Sequence, residues 1–334
     1  MHMKRITLLV ALAAIFLAAL PAGASLTVFQ QYVGDYGYAQ SGCGSVTQFC
    51  TINIDLAGTT MTSSSTITAA YLYSAEYSFI GPFTPDVSLN GTNLGAPTVF
   101  VPQSPSCCGL ASARWDVTGL VQAQWNGGAG NLNFNINENS VDDPQNAGID
   151  GEALVIVYNN GGSTVNTVAI LDGYSTSAGD SSFINFSSPL NGFAQMSIAD
   201  SFSCCGQASS ITVNGTTITD FAGNNDDSQD AFISNGNLIT SGGPGSPYPG
   251  FSPCLPDYAS DHERYDLVAC AGVTGATNIR VDTLNPSGDD NIFEETFWVS
   301  GQGTVTTTPE PATLAMFGSG VLGLAGLLRR KFDV

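Results

Sequence analysis

Two Asn-Gly dipeptides, Asn90-Gly91 and Asn214-Gly215, each stand between short runs in which apolar and polar residues alternate. Val87 and Leu89 lead into the first and Leu94 leaves it; Ile211 and Val213 lead into the second and Ile218 leaves it. Asn and Gly tolerate the positive φ required at both central positions of a type I′ turn, whose twist matches that of paired strands. The chain is therefore constrained to antiparallel hairpins at these two places. Both dipeptides also belong to Asn-Gly-Thr glycosylation triplets, but hairpin geometry already explains them.

Other segments extend the period-2 pattern. Ile67, Ala69, Tyr71 and Tyr73 share one face of an expected strand. Ala153 to Tyr158 is continuously apolar, as in a central strand buried on both faces. Phe293, Phe297 and Val299 alternate with Glu294, Thr296 and Trp298 in a closing strand. Only Asp116 to Trp125 reads as a helical turn, with Asp116 as its N-cap and Gly119 weakening it. Gly, Ser, Thr and Asn abound while Lys and Glu are scarce, which disfavours helix and suits short strands joined by turns. The expected class is all-β: one or two antiparallel, jelly-roll-like β-sandwich domains with disulfides, plus helical signal segments at the termini.

The N-terminus has the layout of a secretion signal. Lys4 and Arg5 precede an apolar stretch from Ile6 to Leu20, Pro21 breaks it, and Ala22-Gly23-Ala24 offers signal peptidase a site before Ser25. At the other end, Pro309-Glu310-Pro311 precedes seventeen apolar or small residues, Ala312 to Leu328, and then Arg329-Arg330-Lys331. Such a segment can just cross a thin bilayer, with the basic cluster held on the cytoplasmic side. The order of these parts closely resembles the PEP-CTERM sorting tail. That resemblance implies recognition by an exosortase, removal of the tail near Pro309-Glu310-Pro311, and release or transfer to the cell surface, in a setting of exopolysaccharide and biofilm matrix. Signal peptidase and exosortase are then the export partners, and the tail inserts in the membrane only transiently.

Five of the eight Lys and Arg residues lie in these terminal segments, leaving Arg114, Arg264 and Arg280. Against these three stand 26 of the 28 acids, a net charge of −23. No basic patch can be assembled, so nucleic acid is excluded as a partner.

The eight cysteines of an exported chain read as disulfides. Cys43–Cys50 and Cys254–Cys270 are the simplest local pairs, leaving Cys107-Cys108 and Cys204-Cys205 to cross-link two distant segments. Two echoes point to internal duplication. Ser-x-Ser-Cys-Cys-Gly-x-Ala-Ser occurs at 104–112 and at 201–209, and Arg114-Trp115-Asp116-Val117 resembles Arg264-Tyr265-Asp266-Leu267. Their offsets disagree, so the expectation is a diverged pair: residues 25–161 as the first sandwich and 162–303 as the second. The second carries an insertion near 220–260, and a linker at 304–308 leads to the tail at 309–334. The stretch from Ala70-Tyr71-Leu72-Tyr73 through Asn90-Gly91 and Asp116-Val117-Thr118 to Gly151–Tyr158 is also similar to an uncharacterised domain family of archaeal and bacterial surface proteins. That similarity implies a jelly-roll-like sandwich and no known activity.

Candidate sites are few. Asp142, Asp143, Asp150 and Glu152 form one acidic group, Asp226, Asp227 and Asp230 a second, Asp289 and Asp290 a third. Their carboxylates are hard oxygens of the kind calcium takes, although no EF-hand spacing is present, and solvated acidic loops or Asx-turns are the simpler reading of each. No other cofactor is expected. Trp125, beside Asn126-Gly127-Gly128, is the candidate sugar-stacking side chain, whereas Trp115 and Trp298 fit core packing. His262, between Asp261 and Glu263, reads as a surface residue, and no nucleophile elbow accompanies it. The functional expectation is a non-enzymatic surface or matrix protein, structural or adhesive in the envelope or biofilm, with exopolysaccharide or other matrix components as partners. The alternatives are a glycan-binding module assisted by calcium and an extracellular hydrolase.

Overall fold

A computed structural model describes residues 26–44, 48–77, 85–100, 110–125, 127, 130–138, 149–175, 179–201, 209–223, 239–246, 250–257, 260–286 and 291–308. Strand β1 (Thr27–Gly34) comes first. A run of strands follows: β2 (Tyr36–Gly44), β3 (Phe49–Asp55), β4 (Thr66–Tyr77), β5 (Val87–Leu89), β6 (Thr92–Asn93), β7 (Thr98–Phe100) and β8 (Leu110–Asp116). Helix α1 (Thr118–Gln124) then leads to β9 (Asn131–Glu138) and β10 (Ile149–Asn159). The remainder is β11 (Asn166–Asp172), β12 (Ser181–Phe186), β13 (Ala194–Ser201), β14 (Ser209–Val213), β15 (Thr216–Ala222), β16 (Ile239–Ser241), β17 (Arg264–Asp266), α2 (Leu267–Ala271), β18 (Asn278–Leu284), β19 (Asn291–Ser300) and β20 (Gly303–Thr308).

Among the described residues the strands form four antiparallel sheets, and the fold is all-β as expected. An outer sheet in the order β3-β9-β5-β6 covers an inner sheet β2-β10-β4-β8-β7. A second inner sheet, β1-β11-β19-β13, has β16 and β17 both pairing with β13, and the outer sheet β15-β14-β18-β12-β20 covers it. Three cores separate these four layers. The first lies within the first sandwich, around Leu72, Phe134, Leu154 and Ile156. The second lies within the second sandwich, around Met196, Val281, Phe297 and Val299. The third joins the two inner sheets face to face, through Tyr38, Tyr71, Tyr73, Val155, Val157, Val168, Ile170, Phe293 and Trp298.

This third core explains the unbroken apolar run of β10. Leu154, Ile156 and Tyr158 enter the first core while Ala153, Val155 and Val157 enter the third. It also corrects two face assignments. Ile67 packs in the first core, but Ala69, Tyr71 and Tyr73 pack in the third. The pairing of β4 with β10 slips between Val157 and Tyr158, so one extra β4 residue reverses the alternation. Phe293 likewise enters the third core while Phe297 and Val299 enter the second, across an irregularity opposite Ala199 and Asp200.

The two sandwiches repeat one order of elements. Both inner sheets place a Leu or Met of one strand opposite an aromatic of the next in the same register: Leu72 faces Trp115 and Leu154, and Met196 faces Tyr265 and Phe297. Arg114 and Arg264 therefore occupy equivalent positions, and each is followed by a short helix. Both Asn-Gly turns form, with φ of 50° and 76° at Asn90 and Gly91 and of 49° and 80° at Asn214 and Gly215. Each turn Asn clamps the adjoining strand: Asn90 exchanges hydrogen bonds with the Asn135 backbone and Asn214 with that of Arg280. The cysteine echo has no such equivalence, since one copy falls between β7 and β8 and the other between β13 and β14.

Three further corrections concern details. Strand β1, early in the chain, pairs with β11 in the second sandwich. Residues 304–308, read as a linker, belong to β20, which pairs with β12 and buries Val305 in the second core. Asp116 is not the N-cap of α1: that position is Val117, and Asp116 accepts from Thr118 N one residue early. Helix α2, which the sequence reading missed, has a true cap in Asp266, accepting from Val268 N and Ala269 N.

Candidate functional site

The two inner sheets are tied by polar groups as well as apolar ones. Arg114 forms an ion pair with Asp172 of the facing sheet, and its guanidinium lies 3.3 Å from the centroid of Phe29. Tyr73 donates to the same carboxylate at 3.2 Å. Burial raises Asp172, and Arg114 opposes that rise. Gln40 Nε2 donates to Ile198 O, Ser241 Oγ and Glu294 Oε2 at 3.0, 3.2 and 2.7 Å. Tyr38 and Ser197 share a bond of 2.6 Å. The segment around β16 straps across the boundary: Pro244 O accepts from Gln40 N and Gly245 O from Asp55 N.

Trp125 ends α1 and lies at a groove of about 320 Å³. Asp55, Leu56, Met61, Thr62 and Ser63 line it with Trp125. The indole N–H donates to Ser65 O at 2.9 Å and the ring packs partly on the first core, so Trp125 is half-buried and fixed in orientation. Trp115 and Trp298 are core residues, as their contexts implied.

The Asp261-His262-Glu263 run is not a solvated surface. Asp261 is fully buried and accepts from Thr219, from Ser252 Oγ at 2.8 Å and from Tyr265 OH at 2.9 Å. Glu263 is also fully buried, at a φ of 52°. His262 N donates to Ser252 Oγ at 2.6 Å. This hub anchors the inserted segment to the second sandwich.

Disulfides join Cys43 to Cys50 and Cys254 to Cys270. Cys107, Cys108, Cys204 and Cys205 lie outside the described residues, as do Asp142, Asp143, Asp226, Asp227, Asp230, Asp289 and Asp290. Asp150 falls in β10. Pro309, Glu310, Pro311, Arg329, Arg330 and Lys331 also lie outside. Among the described residues no helix is long and apolar enough to cross a membrane.

Two acids meet at one end of the first core, Glu152, which the sequence placed in the first acidic loop, and Glu138, which it did not single out. Glu152 is fully buried and hydrogen-bonded to Glu138, itself 1% exposed. Burial pushes Glu152 upward and raises half-buried Glu76 to about 7. Glu295 holds the position equivalent to Glu152 in the second sandwich, two residues before Phe297 as Glu152 is before Leu154. Burial and then the charge of Asp180 push it up to about 8. A sequence signal existed: a carboxylate at the head of a strand buried on both faces has no route to solvent.

No curated protein matches the chain. Among solved structures it is similar to BpGH86A, a β-porphyranase of glycoside hydrolase family 86 from the human gut bacterium Bacteroides plebeius, at 12% identity and a TM-score of 0.22, over 85% of this chain and 37% of that one. It is also similar to the C-terminal domain of the Streptococcus agalactiae AgI/II polypeptide BspA, at 8% identity and a TM-score of 0.17, over 86% and 96% of the two chains. The C-terminal domain of the Streptococcus pyogenes antigen I/II-family protein AspA gives 8%, 0.16, 83% and 99%. The chain thus spans well under half of the porphyranase, and likeness at these TM-scores fixes neither fold nor activity. The terminal motif is the specific match: residues 307–331 carry the PEP-CTERM protein-sorting motif, which marks the chain as an exported, cell-surface-associated protein sorted by an exosortase.

Proposed function

We propose that the protein is a non-enzymatic structural or adhesive component of the cell envelope or biofilm matrix. The observation that carries this reading is the junction between body and tail. The sorting motif begins at residue 307, inside β20, so a stack of four sheets is presented directly at the site of sorting. A signal peptide ending at Ala24 fits the same body: Leu26 is already buried in the second core, and cleavage before Ser25 leaves β1 whole. The test is cell fractionation with Pro309-Glu310-Pro311 replaced by alanines, or with the exosortase deleted. The mature chain should shift from the surface and medium to the membrane fraction, and matrix yield should fall. Unchanged distribution in the exosortase deletion would remove the sorting step, and unchanged matrix would remove the proposed role.

The groove at Trp125 supports a second reading, a glycan-binding module. An oriented indole beside Asp55, Thr62 and Ser63 supplies a stacking face and hydrogen-bonding groups for a neutral sugar. Trp125→Ala should abolish retention on a polysaccharide array while the fold persists; retention equal to wild type dismisses this site.

A further inference from the structure

The strap that continues β16 is pressed onto β2 where two glycines make room. A Cβ added at Gly42 would stand 2.9 Å from Ser241 Cβ, and one at Gly243 would stand 2.7 Å from Gln40 Cβ. Neither glycine has a positive φ, so space and not backbone conformation selects them. The close approach sets the Gln40 side chain of the first inner sheet against the Ser241 hydroxyl of the second, across a sequence separation of 201.

Gln40, Ser241 and Glu294 are all fully buried. The Gln40 amide nitrogen has two hydrogens and three oxygens around it: Glu294 Oε2 at 2.7 Å, Ile198 O at 3.0 Å and Ser241 Oγ at 3.2 Å. The two shorter contacts account for both hydrogens. The hydroxyl is thus held one bond from the amide carbon without being needed to satisfy the nitrogen. On the other side of the amide, Gln40 Oε1 has no hydrogen-bond partner. A dry amide oxygen costs free energy, and an ester oxygen, a weaker acceptor, costs less. Thr296 fixes Glu294 from its far side by donating to Oε1. Burial raises this carboxyl well above the ordinary range, so it holds a proton at neutral pH. A nucleophile, a carboxamide and an acid at the leaving nitrogen are therefore assembled in one dry place. The chain's lysines, Lys4 and Lys331, both lie in the terminal segments, so no lysine amine competes with the hydroxyl.

We propose that the side chains of Gln40 and Ser241 condense into an ester that joins the two sandwiches covalently. Ser241 Oγ attacks Gln40 Cδ; the Oγ–Cδ bond forms and the Cδ–Nε2 bond breaks. Glu294 gives its proton to the departing nitrogen and is reprotonated from the Ser241 hydroxyl. One ammonia leaves, and nothing is oxidised or reduced. Fixed positions replace the entropy of bringing the groups together, and one turnover per molecule is enough. The absence of water at the site protects the product from hydrolysis. Unlike the two disulfides, such a link withstands reductant.

The test weighs the full chain, reduced and denatured, by intact mass spectrometry and maps it after pepsin digestion at acid pH, where esters survive. The mass should fall short of the encoded one by a single ammonia. The loss should map to one fragment containing both Gln40 and Ser241, and mild alkali should separate its halves. Ser241→Ala should restore the encoded mass in a chain that circular dichroism shows to be folded. Glu294→Gln keeps the shape and has no acidic proton to give, so it should cut the linked fraction at least tenfold. The encoded mass in wild type overturns the proposal. So does a loss of ammonia that persists in Ser241→Ala, which would place it in a succinimide at Asn90-Gly91 or Asn214-Gly215. Full linkage in Glu294→Gln overturns it as well.

Discussion

Replacing Glu295 by glutamine isolates the electrostatic consequence of burying a carboxyl between two sheets. Glu295 is 1% exposed, and burial, reinforced by the charge of Asp180, lifts it from 4.5 to about 8. The folded protein therefore holds this carboxyl neutral, whereas the unfolded chain ionises it above about pH 4.5. Its contribution to stability is complete below that pH and is lost as pH rises through the folded value near 8. A shift of this size corresponds to an upper limit of about 3.5 kcal/mol between pH 5 and 8, and relaxation of the site brings it to about 2–3 kcal/mol. Glutamine preserves the shape and cannot ionise, so Glu295→Gln should gain on wild type progressively across that interval. Urea unfolding in EDTA at pH 5, 6.5 and 8 measures this, with other titrating groups cancelling in the difference. Parallel curves for the two proteins across that range would refute the assignment of a buried, neutral carboxyl.

Arg114→Met leaves Asp172 buried in the facing sheet with Tyr73 as its remaining side-chain donor among the described residues, and should cost about 3–5 kcal/mol in urea unfolding; adding Asp172→Asn should recover part of it. Gly151→Ala places a Cβ 2.3 Å from Cys43 O at a φ of +145°, and should destabilise by more than about 2 kcal/mol. By contrast Gly91→Ala, in open space at the hairpin tip, should cost about 1 kcal/mol in the same assay. Removing the Cys254–Cys270 bridge, which spans a sequence separation of 16, should lower stability by about 3 kcal/mol and erase the difference between oxidising and reducing thermal melts at that site.

Local chemistry was legible in the chain wherever one residue type decides the backbone. Asn90-Gly91 and Asn214-Gly215 announced their turns because few other residues tolerate those dihedrals. The run Ala153–Tyr158 announced a strand covered on both faces. What could not be read was which sheet would supply the second cover, since pairing between strands far apart in sequence leaves no periodic trace. Ile67 and Phe293 were assigned to the wrong face for a related reason: one irregular residue reverses a period of two. The arginine echo proved to be a matter of register and the cysteine echo did not, because the first lies in paired strands and the second in connections. The acids at the site fared worst. Glu138 and Glu152 lie on different strands, and only the packing of β9 over β10 brings their carboxyls together.

The position of β20 has a mechanical meaning. The sorting motif begins at residue 307 within a strand that is itself paired, from Ser181–Thr308 to Phe186–Gly303, along the edge of the outer sheet. Gln31 of β1 secures that strand further, donating to Gly303 O at 2.9 Å and accepting from Val305 N. A pull applied at the end of β20 would thus enter as tension on an edge strand. From β20 the load passes through the second sandwich and crosses to the first by way of Arg114–Asp172, the Gln40 contacts and the aromatic core. The junction between the two inner sheets is therefore the coupling that decides whether the far half of the molecule bears force together with the near half or parts from it.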